Sequence, residues 1–393
     1  MMAVFPGLFL MLFLWLPSQP SGQPTKPADV YRYVAPRADV VLALDVGSLG
    51  GSAMRKLSAL ANEPFVSGSA KLSRLHATLL RQINGQLQMV RTFSGVDPLR
   101  DLNWITISAR MTGRRPRMLA AASGNVTLAA IQRLAQRSGA GPAKRLARGT
   151  MYIARGGKGA FGFARGNVAM IGDVELVRDA LSGKRGGPVR SMAMRVHDSK
   201  SFFTFAVDPT SRRARRALKR MSRGFLHSLF GRFDGFAASM RYDGLRVGLR
   251  AKGGGVVTRY SKLLDGLGHY MIAAEHFLRG SMMFGDGLLS PKDARFMPRG
   301  LRGLASAKPA LLRYLRKHIA LAQSPSHSVS RRGRVALLDY KGSRHAGLLP
   351  VLFGAGFWFA SARSSTRALR GPVGVIAPPP AMAQPRTKAA PRP

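Results

Sequence analysis

Val40–Asp45 (VVLALD) and Ser201–Asp208 (SFFTFAVD) decide the reading of the fold. Each is a short apolar run closed by an aspartate, the pattern of a buried strand. Beyond VVLALD, Gly47, Gly50 and Gly51 punctuate the exit. Ser52–Val90 then reads as helical, with Met54, Leu57, Leu60, Leu72, Leu75, Leu79 and Ile83 recurring on one face. In Ser94–Leu102 (SGVDPLRDL) Asp97 suits a helix cap and Pro98 the first helical position. Trp104–Met111 alternates as a strand, Gly113–Pro116 turns, Met118–Ala122 returns, and Val126–Ala135 is an amphipathic helix. Strands at Thr150–Ala154 and Ala160–Ala164, the latter extended by Val168–Ile171, lead to Asp173, which caps a helix over Val174–Leu181.

Beyond SFFTFAVD the order recurs. A helix is expected over Thr210–Phe230, then strands Phe236–Tyr242 and Leu245–Ala251 around Asp243-Gly244, a strong hairpin signal. A helix from Val256 to about Leu278 closes the unit. The expectation is an α+β fold of duplicated β-α-β-β-α modules, near 38–136 and 200–278. Its antiparallel sheet would carry helices packed on one face.

The flanks differ from this centre. Ala3–Leu16 (AVFPGLFLMLFLWL) is continuously apolar, with the length of a signal-peptide core, and a polar Pro/Ser/Gln-rich stretch follows. A cleaved signal is favoured over a retained anchor or a buried helix. The expected organisation is a signal peptide at 1–22, a linker at 23–36, one α+β module at 37–190 and a second at 198–290. A basic helical segment follows at 291–345, including a helix over Ala310–Leu321, then a short apolar segment at 346–362 and a disordered Pro/Ala/Arg tail at 363–393. The apolar segment is broken by Pro350 and falls short of the ~20 residues a spanning helix needs, so a buried or interfacial role is favoured.

Charge is the other dominant feature. The chain has 62 Lys+Arg against 18 Asp+Glu, a net charge of +44 over 393 residues. Such a field calls for a polyanionic partner: nucleic acid, lipid phosphate or an acidic polymer. A hydrophobic content of 46% rules out a disordered basic protein. With no cysteine, disulfides, iron–sulfur sites and thiol nucleophiles are excluded.

The densest basic run is Arg212, Arg213, Arg215, Arg216, Lys219, Arg220 and Arg223, with Ala214, Leu218, Met221, Phe225 and Leu229 at helical spacing opposite. A helix of this kind suits an anionic membrane surface or a phosphate backbone, and its apolar stripe can pack while the Arg face binds. Arg engages phosphate bidentately, which Lys does not. Lys341, Arg344, Arg363, Arg367 and Arg370 flank the C-terminal apolar segment.

Other motifs read blandly. Gly157, Gly159 and Gly162 match a dinucleotide fingerprint, but strands on both sides make this a glycine-rich hairpin. Asp45 and Asp208 stand at equivalent places, and each reads as a cap or an Arg partner rather than half of a catalytic pair. His269 and His276, seven apart with Glu275 adjoining, would ligate a metal only with a third ligand from elsewhere. Polar positions on a helix are the simpler reading, so no metal, no cofactor and no catalytic residue is assigned.

Three stretches carry a resemblance: PRADVVLALDVGSL, GVDPLRDLNWITISARM and GTMYIARGGKGAFGFARGNVAMIGDVELVRDAL. Over residues 36–185 the chain resembles a group of exported α+β proteins of myxobacteria and related Gram-negative bacteria. Asp45, Gly95–Leu102 and Gly172–Leu181 hold the matching positions. The resemblance implies export and an α+β fold, and supplies no catalytic residue. The expectation is an exported, envelope-associated, non-enzymatic protein whose Arg-rich surface contacts anionic lipid or polymer. Nucleic-acid binding is the alternative, and a hydrolase stands third.

Overall fold

The computed structural model describes residues 27–111, 116–184, 186–210, 233–284, 313 and 324–343, all within one compact unit, Met1–Leu352. The expected signal peptide, residues 211–230 of the basic helix, the expected helix at 310–321 apart from Arg313, the apolar segment and the tail lie outside them.

The strands are β1 (Val40–Asp45), β2 (Leu102–Arg110), β3 (Arg117–Gly124), β4 (Lys144–Leu146), β5 (Gly149–Ile153), β6 (Gly159–Ala164), β7 (Val168–Asp173), β8 (Ser201–Val207), β9 (Gly235–Arg241), β10 (Gly244–Arg250), β11 (Ser326–Arg332) and β12 (Val335–Lys341). The α-helices are α1 (Pro27–Val30), α2 (Val46–Ala59), α3 (Pro64–Ser67), α4 (Ala70–Ser94), α5 (Pro98–Asp101), α6 (Leu128–Arg137), α7 (Val174–Leu181), α8 (Pro188–Val196) and α9 (Gly254–Phe284). The fold is α+β. Among the described residues, one 12-stranded antiparallel sheet runs in the order β11-β12-β10-β9-β8-β1-β2-β3-β7-β6-β5-β4. Near its middle is the β1–β8 pair, in which Leu42 lies opposite Phe205.

Local signals place the elements. Asp97 Oδ1 accepts from Leu99 N at 3.1 Å with Pro98 opening α5, and Asp173 Oδ1 accepts from Glu175 N at 3.2 Å at the start of α7. The Asp243-Gly244 hairpin forms as expected. Gly244 has φ +151°, and a Cβ there would sit 2.0 Å from the Tyr340 carbonyl oxygen. Glycine therefore lets β12 pair closely with β10.

The helices cover both faces of the sheet, not one. Alternate residues of a strand point to opposite sides. In β6, Ala160 and Ala164 join the cluster of α1, α7 and α8, whereas Phe161 and Phe163 pack with α6. In β12, Val335 and Leu337 share the first cluster, whereas Ala336, Leu338 and Tyr340 pack with α9. A sheet this wide buries apolar side chains on both sides, and one layer of helices cannot shield both. Leu57, Leu60 and Val66, on and between α2 and α3, form a small cluster of their own.

Two expected boundaries are corrected. Within the 23–36 linker, Tyr31, Tyr33, Val34 and Ala35 are core residues. Their burial is secured by hydrogen bonds from Thr106 Oγ1 to Val30 O (2.9 Å) and from Ala35 N to Ser108 Oγ (3.1 Å). Within the 291–345 basic helical segment, Ser326–Lys341 is instead the β11–β12 hairpin, paired with β10. Val168–Asp173 is a strand in its own right, because it turns back at Gly166 and pairs with β3.

Candidate functional site

The arginines that sequence reasoning singled out, Arg212, Arg213, Arg215, Arg216, Lys219, Arg220 and Arg223, lie outside the described residues. What the structure does describe is where the scarce acids go. Arg241, with its side chain only 4% exposed, has Asp198 Oδ2 3.2 Å from Nε, Asp243 Oδ1 3.1 Å from Nη2 and Asp339 Oδ1 2.5 Å from Nη1. Arg246 bridges Asp198 and Asp339. Burial pushes Asp339 up, but the hydrogen bond from Arg246 and the charges of Arg241 and Arg246 outweigh it, so its carboxyl is held below the usual range. Glu275 accepts from Tyr340 Oη and from Ser343 N. Burial and the adjoining Glu275 push Tyr340 up. Asp198, Asp243, Asp339 and Glu275 are thus engaged within the fold.

Three other arginines line a groove. Its volume is about 340 Å³, and it opens where α8 crosses the ends of β9, β10 and β12. Arg195 of α8, Arg250 at the end of β10 and Arg334 in the β11–β12 turn line it, over a floor of Pro188, Met192, Ala251 and Val335. Asp234 is the only acid among the described lining residues, and its Oδ1 lies 3.7 Å from Lys252 Nζ. Hydrogen bonds fix the walls: the backbone Ala251 N donates to Arg334 O at 2.9 Å, and the side-chain Arg195 Nη1 donates to Arg332 O at 3.1 Å. Among the described residues, Arg250 and Arg334 form no ion pair. Three guanidiniums around a cavity near the lower end of ligand-pocket size suit a phosphate-sized anion. Sequence reasoning missed this site because its residues come from three distant segments. The Arg331-Arg332-Gly333-Arg334 turn was the available signal.

A buried polar chain passes beneath the same face. Tyr31 Oη lies 3.0 Å from His197 Nδ1, which lies 2.9 Å from Thr204 Oγ1. The chain continues through Ser239 (3.0 Å) and Ser201 (2.7 Å) to Asp198 (3.0 Å). Burial pulls His197 down from 6.5 to about 4 against the opposing charge of Asp198, so the imidazole is neutral. Its ring packs against Trp104 at 5.0 Å and Tyr31 at 5.3 Å. Burial likewise pushes Tyr31 up.

The other sequence candidates separate. Because β1 and β8 are antiparallel, Asp45 and Asp208 stand at opposite ends of the pair and cannot meet over one substrate. Asp208 Oδ1 accepts from Thr210 N at 2.9 Å. Gly157 lies in the β5–β6 turn with φ +70°, as a hairpin requires. His269 lies beside Asp265 and His327, while His276 is exposed and outside that group. Among the described residues, no helix is long and apolar enough to cross a membrane.

No protein-family model matches the chain, and no curated protein matches it. Among solved structures it is similar to TP0453. Crystal form I has 10% identity and a TM-score of 0.33, covering 84% of this chain and 99% of that one. Crystal form IV has 10% identity and a TM-score of 0.34, covering 83% and 96%; form III has 8% and 0.32, covering 83% and 97%.

Proposed function

We propose that this is an exported, envelope-associated, non-enzymatic protein that holds anionic lipid or polymer on its arginine surface. The observation that carries the reading is the groove of Arg195, Arg250 and Arg334, which gathers three arginines around one acid, Asp234, among its described lining residues. The apolar N-terminal run supports export. Binding without chemistry is supported by the enclosure of neutral His197 and by the separation of Asp45 from Asp208.

We infer that the chain is a duplicated unit. Moving outward from the β1–β8 seam, β1-β2-β3-β7-β6 and β8-β9-β10-β12-β11 occur in the same spatial order. Helices α6 and α9 follow β3 and β10 in the chain, and Leu44 packs with the clusters of both. The segment containing Arg212–Arg223 joins β8 to β9, as α2–α5 join β1 to β2.

The function is tested by flotation of the full chain with phosphatidylglycerol vesicles and with neutral phosphatidylcholine vesicles. Binding to the anionic vesicles should fall with salt as the Debye length shrinks from about 10 Å at 0.1 M to about 3 Å at 1 M. Gln at Arg195, Arg250 and Arg334 should weaken it about a hundredfold, at about 1 kcal/mol per charge. Gln at the exposed Arg55, Arg74 and Arg81 removes the same charge and should do far less. Gln at Arg212, Arg216, Lys219 and Arg223 tests the basic run in parallel. Equal losses in all sets would reduce the effect to total charge and remove the groove. Displacement of vesicles by an oligonucleotide at lower concentration than by an acidic polysaccharide would favour the nucleic-acid reading.

A further inference from the structure

We propose that Asp265 and His269 of α9 and His327 of β11 form a mononuclear transition-metal site, best suited to Zn²⁺, with a fourth position open to solvent. The i,i+4 spacing of Asp265 and His269 puts both side chains on one face of α9. β11 brings His327 to that face from 62 residues away. His327 Nε2 lies 2.9 Å from Asp265 Oδ1, and His269 Nε2 lies 3.8 Å from Asp265 Oδ2. All three ligand atoms fall within 4.8 Å of one another. Tetrahedral Zn²⁺ with bonds of 2.0–2.1 Å sets its ligand atoms about 3.3 Å apart, so the trio, whose ligand atoms lie within 4.8 Å, closes on the ion by small side-chain rotations of the exposed Asp265 and His269. Two imidazoles and one carboxylate are donors for Zn²⁺, Cu²⁺ or Ni²⁺, not for Mg²⁺ or Ca²⁺.

The backbone is shaped to hold the histidine. A Cβ at Gly268 would lie 2.3 Å from His327 Cδ2, so only glycine lets the ring settle against α9. The side chain of His327 is 9% exposed, whereas those of Asp265 and His269 are 55% and 71% exposed, leaving one side of the trio open. The two imidazoles meet edge to face with centroids 4.6 Å apart. A bound ion would staple α9 to β11, one of the two terminal strands of the sheet among the described residues.

The test is titration of the full chain with Zn²⁺ by calorimetry and with Co²⁺ by visible absorption. One ion per chain and the strong d–d bands of four-coordinate Co²⁺ are expected. Changes in outer-shell partners alone cost about 10–100-fold in metal affinity, so His269→Ala and His327→Gln should each weaken binding at least that much. His269 is exposed, so its variant leaves the fold intact even if the other does not. His276→Ala should bind as the parent does. Zn²⁺ should raise the melting temperature of the parent and of His276→Ala but not of His269→Ala. Absence of binding at one ion per chain, or binding that survives His269→Ala, overturns the proposal.

Discussion

Lowering the pH from about 7.5 to about 5 should destabilise this protein through one buried imidazole. His197 has a folded pKa of about 4 against 6.5 for the free side chain, because burial disfavours its charged form. A depressed histidine leaves the fold at full strength above the unfolded value. As the pH falls through 6.5 the unfolded chain takes up a proton that the folded chain refuses, and stability drops until the folded pKa is reached. The shift gives a loss of about 2 kcal/mol at pH 5, and about 3 kcal/mol once the pH passes below 4. Urea unfolding at fixed ionic strength, compared between the parent and His197→Asn, isolates this from the carboxylates. Asn keeps a polar atom near Nδ1 for Tyr31 and Thr204 but does not titrate. The parent should lose about 2 kcal/mol more than the variant between the two pH values. NMR titration of the His197 ring should show no protonation above about pH 5. Parallel pH profiles for the two proteins, or a ring that titrates near 6.5, would refute the reasoning.

Arg241→Met should cost about 3 kcal/mol in urea unfolding, because it removes the buried cation shared by Asp198, Asp243 and Asp339 and leaves Arg246 alone to hold Asp198 and Asp339, and Lys200 to hold Asp243. Asp339→Asn added to that variant should restore part of the loss, and strict additivity of the two changes would count against a shared network. If the chain is duplicated, superposing β8-β9-β10-β12-β11 on β1-β2-β3-β7-β6 should require a half turn about the Leu42–Phe205 pair and bring Asp208 onto Asp45. A different operator, or α6 and α9 falling on opposite faces, ends that proposal.

Much of the sheet's centre was legible because each signal there is local. VVLALD and SFFTFAV carry their burial in their own composition, and Asp97-Pro98, Asp173 and Asp243-Gly244 fix their turns within four residues. What escaped depends on distant partners. Tyr31 follows a Pro-rich stretch that reads as a linker, and its hydroxyl finds His197 166 residues away. Ser326–Arg332 (SHSVSRR) has scarcely any apolar pattern, and among the described residues β11 pairs on one side only. The second helical layer was hidden by alanine, since Ala160 and Ala164 are weak markers of a buried face. The groove and the Asp265–His269–His327 trio each combine residues from separate segments, so spacing along the chain does not expose them.

The outer strands of the sheet bear on how copies of the chain meet. An open sheet ends in unpaired backbone N–H and C=O groups that invite a strand from another molecule. Among the described residues one terminal strand is the three-residue β4, Lys144–Leu146 (KRL), and the other is β11, which closes on Arg331 and Arg332. Lys144 and Arg145 at one border, and the two arginines at the other, place like charge wherever two sheets would join side by side. The sheet is thereby guarded against growing from molecule to molecule, so a basic composition that draws in anions also discourages the fibrous stacking to which so wide a sheet is exposed.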